Sequence, residues 1–402
     1  MLKMATLKFK DISFSKEKSK LLVTFYGLFF FEVSLEDFNS EFGETEIFSN
    51  SIEIPLNEEK ASRKFNFFLL KNMGFLTNKL NGRRAVYIHR NSGIPLIGNI
   101  SFGIVDRNST LIEIKPITSC VLNCIYCSLS EGSEEKAVDF FVECEYLTEK
   151  AQEIVEFKGI KDIEFHINAQ GEPMLYSRIV DLVEGLAQID GVSRISMDTN
   201  GLMLDKKKID ALCLAGMTQF NVSLNAIAPS LAEKISGIKG YNIDKILENC
   251  RLIAKHKKLL LAPILLAGIN ELEIPKIIEF GKKLDAKIGV QNFLEYKGGN
   301  NPAKQLGWEK FYDLLKGYEK KHEVKLILEA QDFNIKKARE LPNPFHVDET
   351  CEAEIICRGR YPNEAIAALR DRNITVITRK KSGKVRFKIA RNKHNIILGK
   401  EV

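Results

Sequence analysis

The chain has 402 residues, 45% of them hydrophobic and 28% charged, with a net charge of +6. That length suits a barrel-sized core with one or two accessory modules, and the composition excludes a long disordered stretch, a low-complexity tract or a repeat array. Eight cysteines at uneven spacing do not form a disulfide framework and point to a reducing, cytoplasmic setting.

Residues 1–95 read as a β-rich domain without cysteine, aromatic through Phe25, Tyr26, Phe29, Phe30, Phe31, Phe65, Phe67 and Phe68, and of unassigned role. The apolar run 21–31 follows Lys16 to Lys20 and imitates a signal-peptide core. It is about half a bilayer span, and Glu32, Glu36 and Asp37 follow it where a cleavage site would stand. A β-hairpin through Gly27 is expected, with no membrane association.

Between 111 and 296, β-rich runs alternate with amphipathic helical patterns, which predicts a parallel sheet covered by helices. Strands are expected at 111–115, 162–167, 192–198, 220–224, 259–266 and 288–293. A helix is expected at 243–256, capped by Asn242, with Ile243, Ile246, Leu247, Cys250, Ile253 and Ala254 on one face. In barrel-like folds of this kind, the chemistry gathers at the C-terminal ends of the strands.

Those ends carry unusual groups. After the first strand comes Cys120-Val-Leu-Asn-Cys124-Ile-Tyr126-Cys127, three thiolates where a closed zinc site wants four. A [4Fe-4S] cluster held by three thiolates keeps one iron open. After the second strand, Gly171 permits close backbone approach, and the carboxylate of Glu172 suits a ligand ammonium group. The third and fourth strands end in Asp198-Thr199-Asn200-Gly201 and Ser223-Leu224-Asn225-Ala226, whose small polar side chains can hydrogen-bond a ribose and a carboxylate. Ala267-Gly268-Ile269-Asn270 follows the fifth.

The cysteine run, with Tyr126 before its third cysteine, resembles the signature of the radical S-adenosylmethionine (radical SAM) superfamily. Gly171-Glu172 resembles its Gly-Gly-Glu motif, with Gln170 in place of the first glycine. The resemblance implies an α/β fold, a (β/α)6 partial TIM barrel over 96–340. It implies a [4Fe-4S] cluster on Cys120, Cys124 and Cys127, and S-adenosylmethionine contacted by Tyr126, Gly171, Glu172, Asn200, Ser223, Asn225 and Gly268. It also implies reductive cleavage of that cofactor to a 5′-deoxyadenosyl radical, fed by an electron donor such as a ferredoxin or flavodoxin.

Other polar and aromatic residues have separate readings. His166 and Gln291 are candidates to project into the barrel toward substrate. Cys144, in strand-like alternation with Phe140, Val142 and Tyr146, reads as a buried hydrophobe, as do Cys213 and Cys250. Cys351 and Cys357 flank a short run at a module boundary, where a redox pair, a methyl carrier or auxiliary-cluster ligands are open alternatives. Trp308, Phe311, Tyr312, Leu315 and Tyr318 form an amphipathic stripe expected to be core.

The third unit, 345–402, follows the linker Pro342-Asn-Pro344. Residues 351–402 hold 13 Lys/Arg against 5 Asp/Glu, so the whole basic excess of the chain lies here. Basic strands at 374–378, 385–389 and 395–399, the first two joined by Ser382-Gly383, have the pattern of a small β-barrel. The unit resembles the TRAM or OB-type RNA-binding module, which implies phosphate contacts from Arg358, Arg360, Arg372, Lys380, Lys381, Arg386, Lys388, Arg391 and Lys393.

The expected function is therefore radical modification of tRNA or rRNA at an unactivated carbon. The alternatives are a radical SAM enzyme acting on a peptide or small metabolite, and a non-catalytic metal-stabilised RNA-binding protein. TRAM-bearing methylthiotransferases carry a cysteine-bearing N-terminal domain, whereas residues 1–119 hold no cysteine. No Asp-x-His-x-x-Gly pattern for cobalamin is present.

Overall fold

The computed structural model describes residues 4–130 and 136–402. The hairpin anticipated at Gly27 joins Lys20–Phe25 to Phe29–Ser34, paired antiparallel with Phe25 opposite Phe29, and Gly27 turns at φ 70°. These strands lie in a six-stranded sheet with Ile12–Glu17, Thr77–Asn78, Arg84–Ile88 and Val138–Val142. The last pairs parallel with Arg84–Ile88, so a segment just after the cysteine loop is built into the N-terminal sheet. Phe29 stacks on Phe141 at 4.0 Å across that junction. Helices Leu35–Phe42 and Glu58–Asn72 start at Ser34 and Asn57, whose side chains accept the free N–H groups of their first turns.

The central sheet has six parallel strands: β1 (Leu111–Lys115), β2 (Ile163–Ile167), β3 (Val192–Thr199), β4 (Gln219–Val222), β5 (Leu259–Leu261) and β6 (Lys287–Ile288). They lie in chain order, and Gly103–Asp106 closes the β1 edge antiparallel. The expected fifth and sixth strands each break in two. Their second halves, Ile264–Leu265 and Gln291–Asn292, pair with each other in a separate ladder. The alternation predicts the helix-covered parallel sheet, and its opening into a partial α/β barrel is what the resemblance implies.

Side chains alternate along each strand. Ile112, Ile114, Phe165, Ile167, Ile195 and Met197 are buried toward the helices. The opposite set, Glu113, Lys115, Glu164, His166, Ser196 and Asp198, is polar and faces the lumen. Helix Ile243–Lys255 covers the sheet as expected, with Asn242 accepting from Lys245 N–H at 3.0 Å.

The C-terminal unit is a closed five-stranded barrel of β7 (Thr350–Arg358), β8 (Glu364–Leu369), β9 (Arg372–Ile377), β10 (Lys384–Arg391) and β11 (Leu398–Glu401), ordered β7-β8-β9-β11-β10. β9 and β11 run parallel. Two of its strands, β7 and β8, were not anticipated: β7 alternates, but its inward positions begin with the small Cys351 and Ala353, and β8 is rich in alanine.

This barrel is fastened to the rest of the chain. Asn373 N–H donates to Ile97 O at 2.9 Å and Ile397 N–H to Gly98 O at 2.8 Å. A Cβ at Gly98 would lie 1.8 Å from Asn373 O, so only glycine allows that approach.

Four expectations change. Cys144 is buried, but it opens helix Cys144–Lys158 instead of extending a strand. Trp308 and Tyr312 are exposed and stack on each other at 5.9 Å, because helix Trp308–His322 turns only its Phe311 and Leu315 face inward. Arg360 is buried against the fully buried Asp139, and Arg372 is buried with Nε donating to Asn395 Oδ1 and a terminal N–H to Pro342 O. Neither arginine can reach a phosphate.

Candidate active site

The cysteine loop lies at the C-terminal end of β1, and the backbone of three other loops presses onto it. A Cβ at Gly171 would lie 2.0 Å from Ser119 O, one at Gly237 1.8 Å from Asn123 O, and one at Gly299 3.0 Å from Ser128 Cα. Glycine is therefore required at Gly171 and Gly237, where loops cross the cysteine segment, and Gly299 makes a tight contact there. Hydrogen bonds fix the same contacts. Asn123 and Ile125 N–H donate to Ser236 O and Ile235 O at 3.0 and 3.1 Å, Glu172 N–H to Ser119 O at 2.7 Å, and Asn300 N–H to Cys127 O at 2.9 Å. Asn300 Nδ2 donates to Cys124 O at 3.0 Å.

This arrangement opens onto a cavity of about 320 Å³ lined by Cys120, Cys124, Cys127, Tyr126, Gly171, Glu172, Asn200, Ser223 and Asn225. Nine of the expected site residues thus meet in one place. Gly268 does not: it turns at φ 77° after β5, and Ile264 lines the cavity in its stead. Gln291 reaches the lining, whereas His166 stops one residue short, bonded to Asp198. Asp198, Tyr241 and Tyr296 also line it. Neither tyrosine was anticipated, since each stands in a loop without periodic pattern; Asp198 was visible only as the neighbour of Asn200.

Glu172 is 1% exposed, and its carboxylate is committed inward. Oε1 accepts from Met174 N–H at 3.0 Å and Thr199 Oγ1 at 2.8 Å, and Oε2 accepts from Asn200 N–H at 2.8 Å. Burial pushes its pKa up to about 7 against those three donors. Glu172 thereby ties the end of β2 to the end of β3 beneath the cavity wall. Tyr126 and Asn225 are similarly locked: Asn225 Nδ2 donates to the Tyr126 hydroxyl at 2.7 Å, and Asn225 Oδ1 accepts from Ile264 N–H at 2.8 Å.

The chemistry of the donor set fits an iron–sulfur cluster. None of the eight cysteines is disulfide-bonded. Burial, reinforced by Cys127, pushes the Cys124 thiol up to about 12, and no Lys, Arg or His stands among the lining residues to offset a thiolate. A thiolate at Cys124 is therefore favoured by a metal cation as its counter-charge. Among the described residues no three His, Cys, Asp or Glu converge on a single ion; a cluster instead takes its thiolates on separate irons. Asn200, Ser223 and Asn225 across the cavity supply the amides and hydroxyl that an amino-acid and ribose portion would need.

The remaining cysteines lie elsewhere. Cys351 is buried in the core of the C-terminal barrel, and Cys357, on the same strand, packs against the main core, with its thiol pushed up to about 12 by burial. Neither lines the cavity. Among the described residues no helix is long and apolar enough to cross a membrane.

A model of the radical SAM superfamily matches residues 114–281, the stretch from the end of β1 through the cysteine loop and strands β2 to β5. An uncharacterized protein of Methanocaldococcus jannaschii is 39% identical over 360 residues, covering 81% of this chain and 83% of its own. The GTP 3′,8-cyclase of Limosilactobacillus fermentum is 31% identical over 211 residues, and this chain spans 59% of that relative's length. Among solved structures, Streptococcus suis SuiB bound to S-adenosylmethionine is similar at a TM-score of 0.44 and 16% identity, covering 79% of this chain and 71% of that one. With its three thiols gathered at the head of an open α/β barrel, this chain belongs to the radical SAM superfamily of enzymes, which use a [4Fe-4S] cluster and S-adenosylmethionine.

Proposed function

We propose that this enzyme modifies RNA, either tRNA or rRNA, at an unactivated carbon. When bound, the cluster and S-adenosylmethionine supply one-electron reduction and a 5′-deoxyadenosyl radical able to remove a hydrogen atom. The chain's share is placement. Cys120, Cys124 and Cys127 hold the cluster, and Gly171 gives the cofactor a close backbone edge. Asn200, Ser223 and Asn225 orient its polar groups, and the half-buried tyrosines Tyr126 and Tyr241 shield it from water. The observation that carries the reading is the meeting of these residues in one cavity.

The RNA assignment is supported by the C-terminal barrel. Arg358, Lys381, Arg386, Arg391 and Lys393 are exposed on it, and its 1-2-3-5-4 strand order suits an OB-type module. Lys380 and Lys388 are exposed too, although Glu401 and Asp348 hold them at 2.9 and 2.8 Å. The barrel also approaches the cavity mouth: a Cβ at Gly298, two residues from Tyr296, would lie 4.0 Å from the Tyr361 hydroxyl. A strand delivered to the basic surface would therefore lie near the opening. A ferredoxin- or flavodoxin-type donor would provide the electron.

A free nucleotide is the second reading, favoured by the cyclase relatives whose name gives GTP as substrate. Anaerobic assay of 5′-deoxyadenosine with total RNA from cells lacking the enzyme, or with nucleoside triphosphates, separates the two. Stimulation by RNA supports the first reading; stimulation by a triphosphate alone replaces it with the second.

A further inference from the structure

The lumen below the cavity holds a line of hydrogen-bonded polar groups that the cofactor assignments leave unused. Asp198 lines the cavity floor, with 49% of its side-chain surface open. Its Oδ1 accepts from Asn221 Nδ2 at 2.9 Å, and its Oδ2 lies 3.2 Å from His166 Nε2. His166 Nδ1 lies 2.8 Å from Ser196 Oγ, which in turn donates to Glu164 Oε1 at 2.6 Å. The carboxylate is therefore fixed on both oxygens from behind, and each oxygen keeps acceptor capacity toward the cavity.

Each cation near this carboxylate already has a carboxylate partner, and Glu172, whose charge also acts on it, is held by three neutral donors. His166 faces Asp198, Lys115 is 3.0 Å from Glu113, and Arg194 is 2.9 Å from Glu164. A site with its own counter-ions does not call for a cationic ligand. It suits a neutral group that presents two adjacent N–H donors to the two oxygens, as the edge of a guanine does.

We propose that Asp198, fixed by His166 and Asn221, is the substrate-positioning residue of this cavity and receives the N–H edge of a guanine, in RNA or as a free nucleotide. This rests on the radical SAM reading of the cavity and adds the part of the substrate that it grips. Asn200 and Gln291 are also in the lining.

The test uses cluster-loaded enzyme with S-adenosylmethionine bound, and GMP, IMP and AMP as probes. In the native enzyme GMP should bind about tenfold more tightly than AMP, with IMP, which lacks the second donor, between them. Equal binding of the three would overturn the proposal without need of any variant. In Asp198→Asn the preference should shrink to within about twofold, while S-adenosylmethionine still perturbs the cluster's electron paramagnetic resonance signal at the native concentration. Loss of that perturbation would move Asp198 to the cofactor and overturn the proposal. His166→Gln should give an intermediate preference. Comparing GMP with the trinucleotide GpGpG tells free nucleotide from RNA as the source of the guanine. Failure of the underlying radical reading would appear separately, as native enzyme that forms no 5′-deoxyadenosine with reductant.

Discussion

Asn225 at the end of the fourth barrel strand donates to the Tyr126 hydroxyl at 2.7 Å, joining the far wall of the cavity to the cysteine loop. Tyr126→Phe leaves that buried amide N–H without its acceptor, a loss of about 1–3 kcal/mol. We expect a lower melting temperature and weaker binding of S-adenosylmethionine, with iron content unchanged because all three cysteines remain. Calorimetry and iron analysis check both halves.

Gly171 meets Ser119 O so closely that a methyl group cannot be accommodated without moving the cysteine segment. Gly171→Ala should reduce cluster incorporation severely, whereas Gly74→Ala, with open space around it, should not. Iron and sulfide per chain after reconstitution measure the difference.

Glu172 gives the stability of the protein a pH dependence of definite sign. Its folded pKa, near 7, lies above the ordinary 4.5, so the folded state holds a proton that the unfolded state releases. The contribution is fully present below about pH 4.5 and is lost as pH rises to about 7, at roughly 1.4 kcal/mol per pH unit at most. Glu172→Gln should flatten this part of the stability profile, measured by denaturant titration between pH 5 and 8.

The two classes of basic residue on the C-terminal barrel should separate cleanly. Arg360→Ala removes one of two cations at the buried Asp139 carboxylate, leaving it Arg83 at 3.8 Å with Asn78 and Asn81, and should cost about 1–3 kcal/mol. Arg386→Ala and Arg391→Ala, both exposed, should leave stability unchanged and weaken RNA binding. Each should lower the slope of log affinity against log salt by about 0.7 for a single strand. Filter binding across a salt series, beside melting curves, reads both effects.

The cofactor side of the site was legible in the sequence because it is local: three cysteines within eight residues, Gly171 beside Glu172, and short polar runs closing successive strands. The orientation of those groups was not legible. Glu172 reads in the sequence as a ligand for an ammonium group, and only the fold shows that three internal donors also hold its carboxylate in place. Arg360 and Arg372 looked like their exposed neighbours, because burial of a cation depends on partners such as Asp139 and Asn395 that lie far away in sequence. The same holds for Tyr241 and Tyr296, and for the polar lumen, where alternation identified the strands but not the pairing of His166 with Asp198.

The most direct test of the central claim is anaerobic. Reconstituted enzyme is mixed with S-adenosylmethionine and dithionite, and 5′-deoxyadenosine is quantified beside Cys124→Ala treated identically. The account predicts 5′-deoxyadenosine from the native chain and none from the variant. A native chain with a full cluster that forms no 5′-deoxyadenosine, or a variant that forms as much, would contradict it.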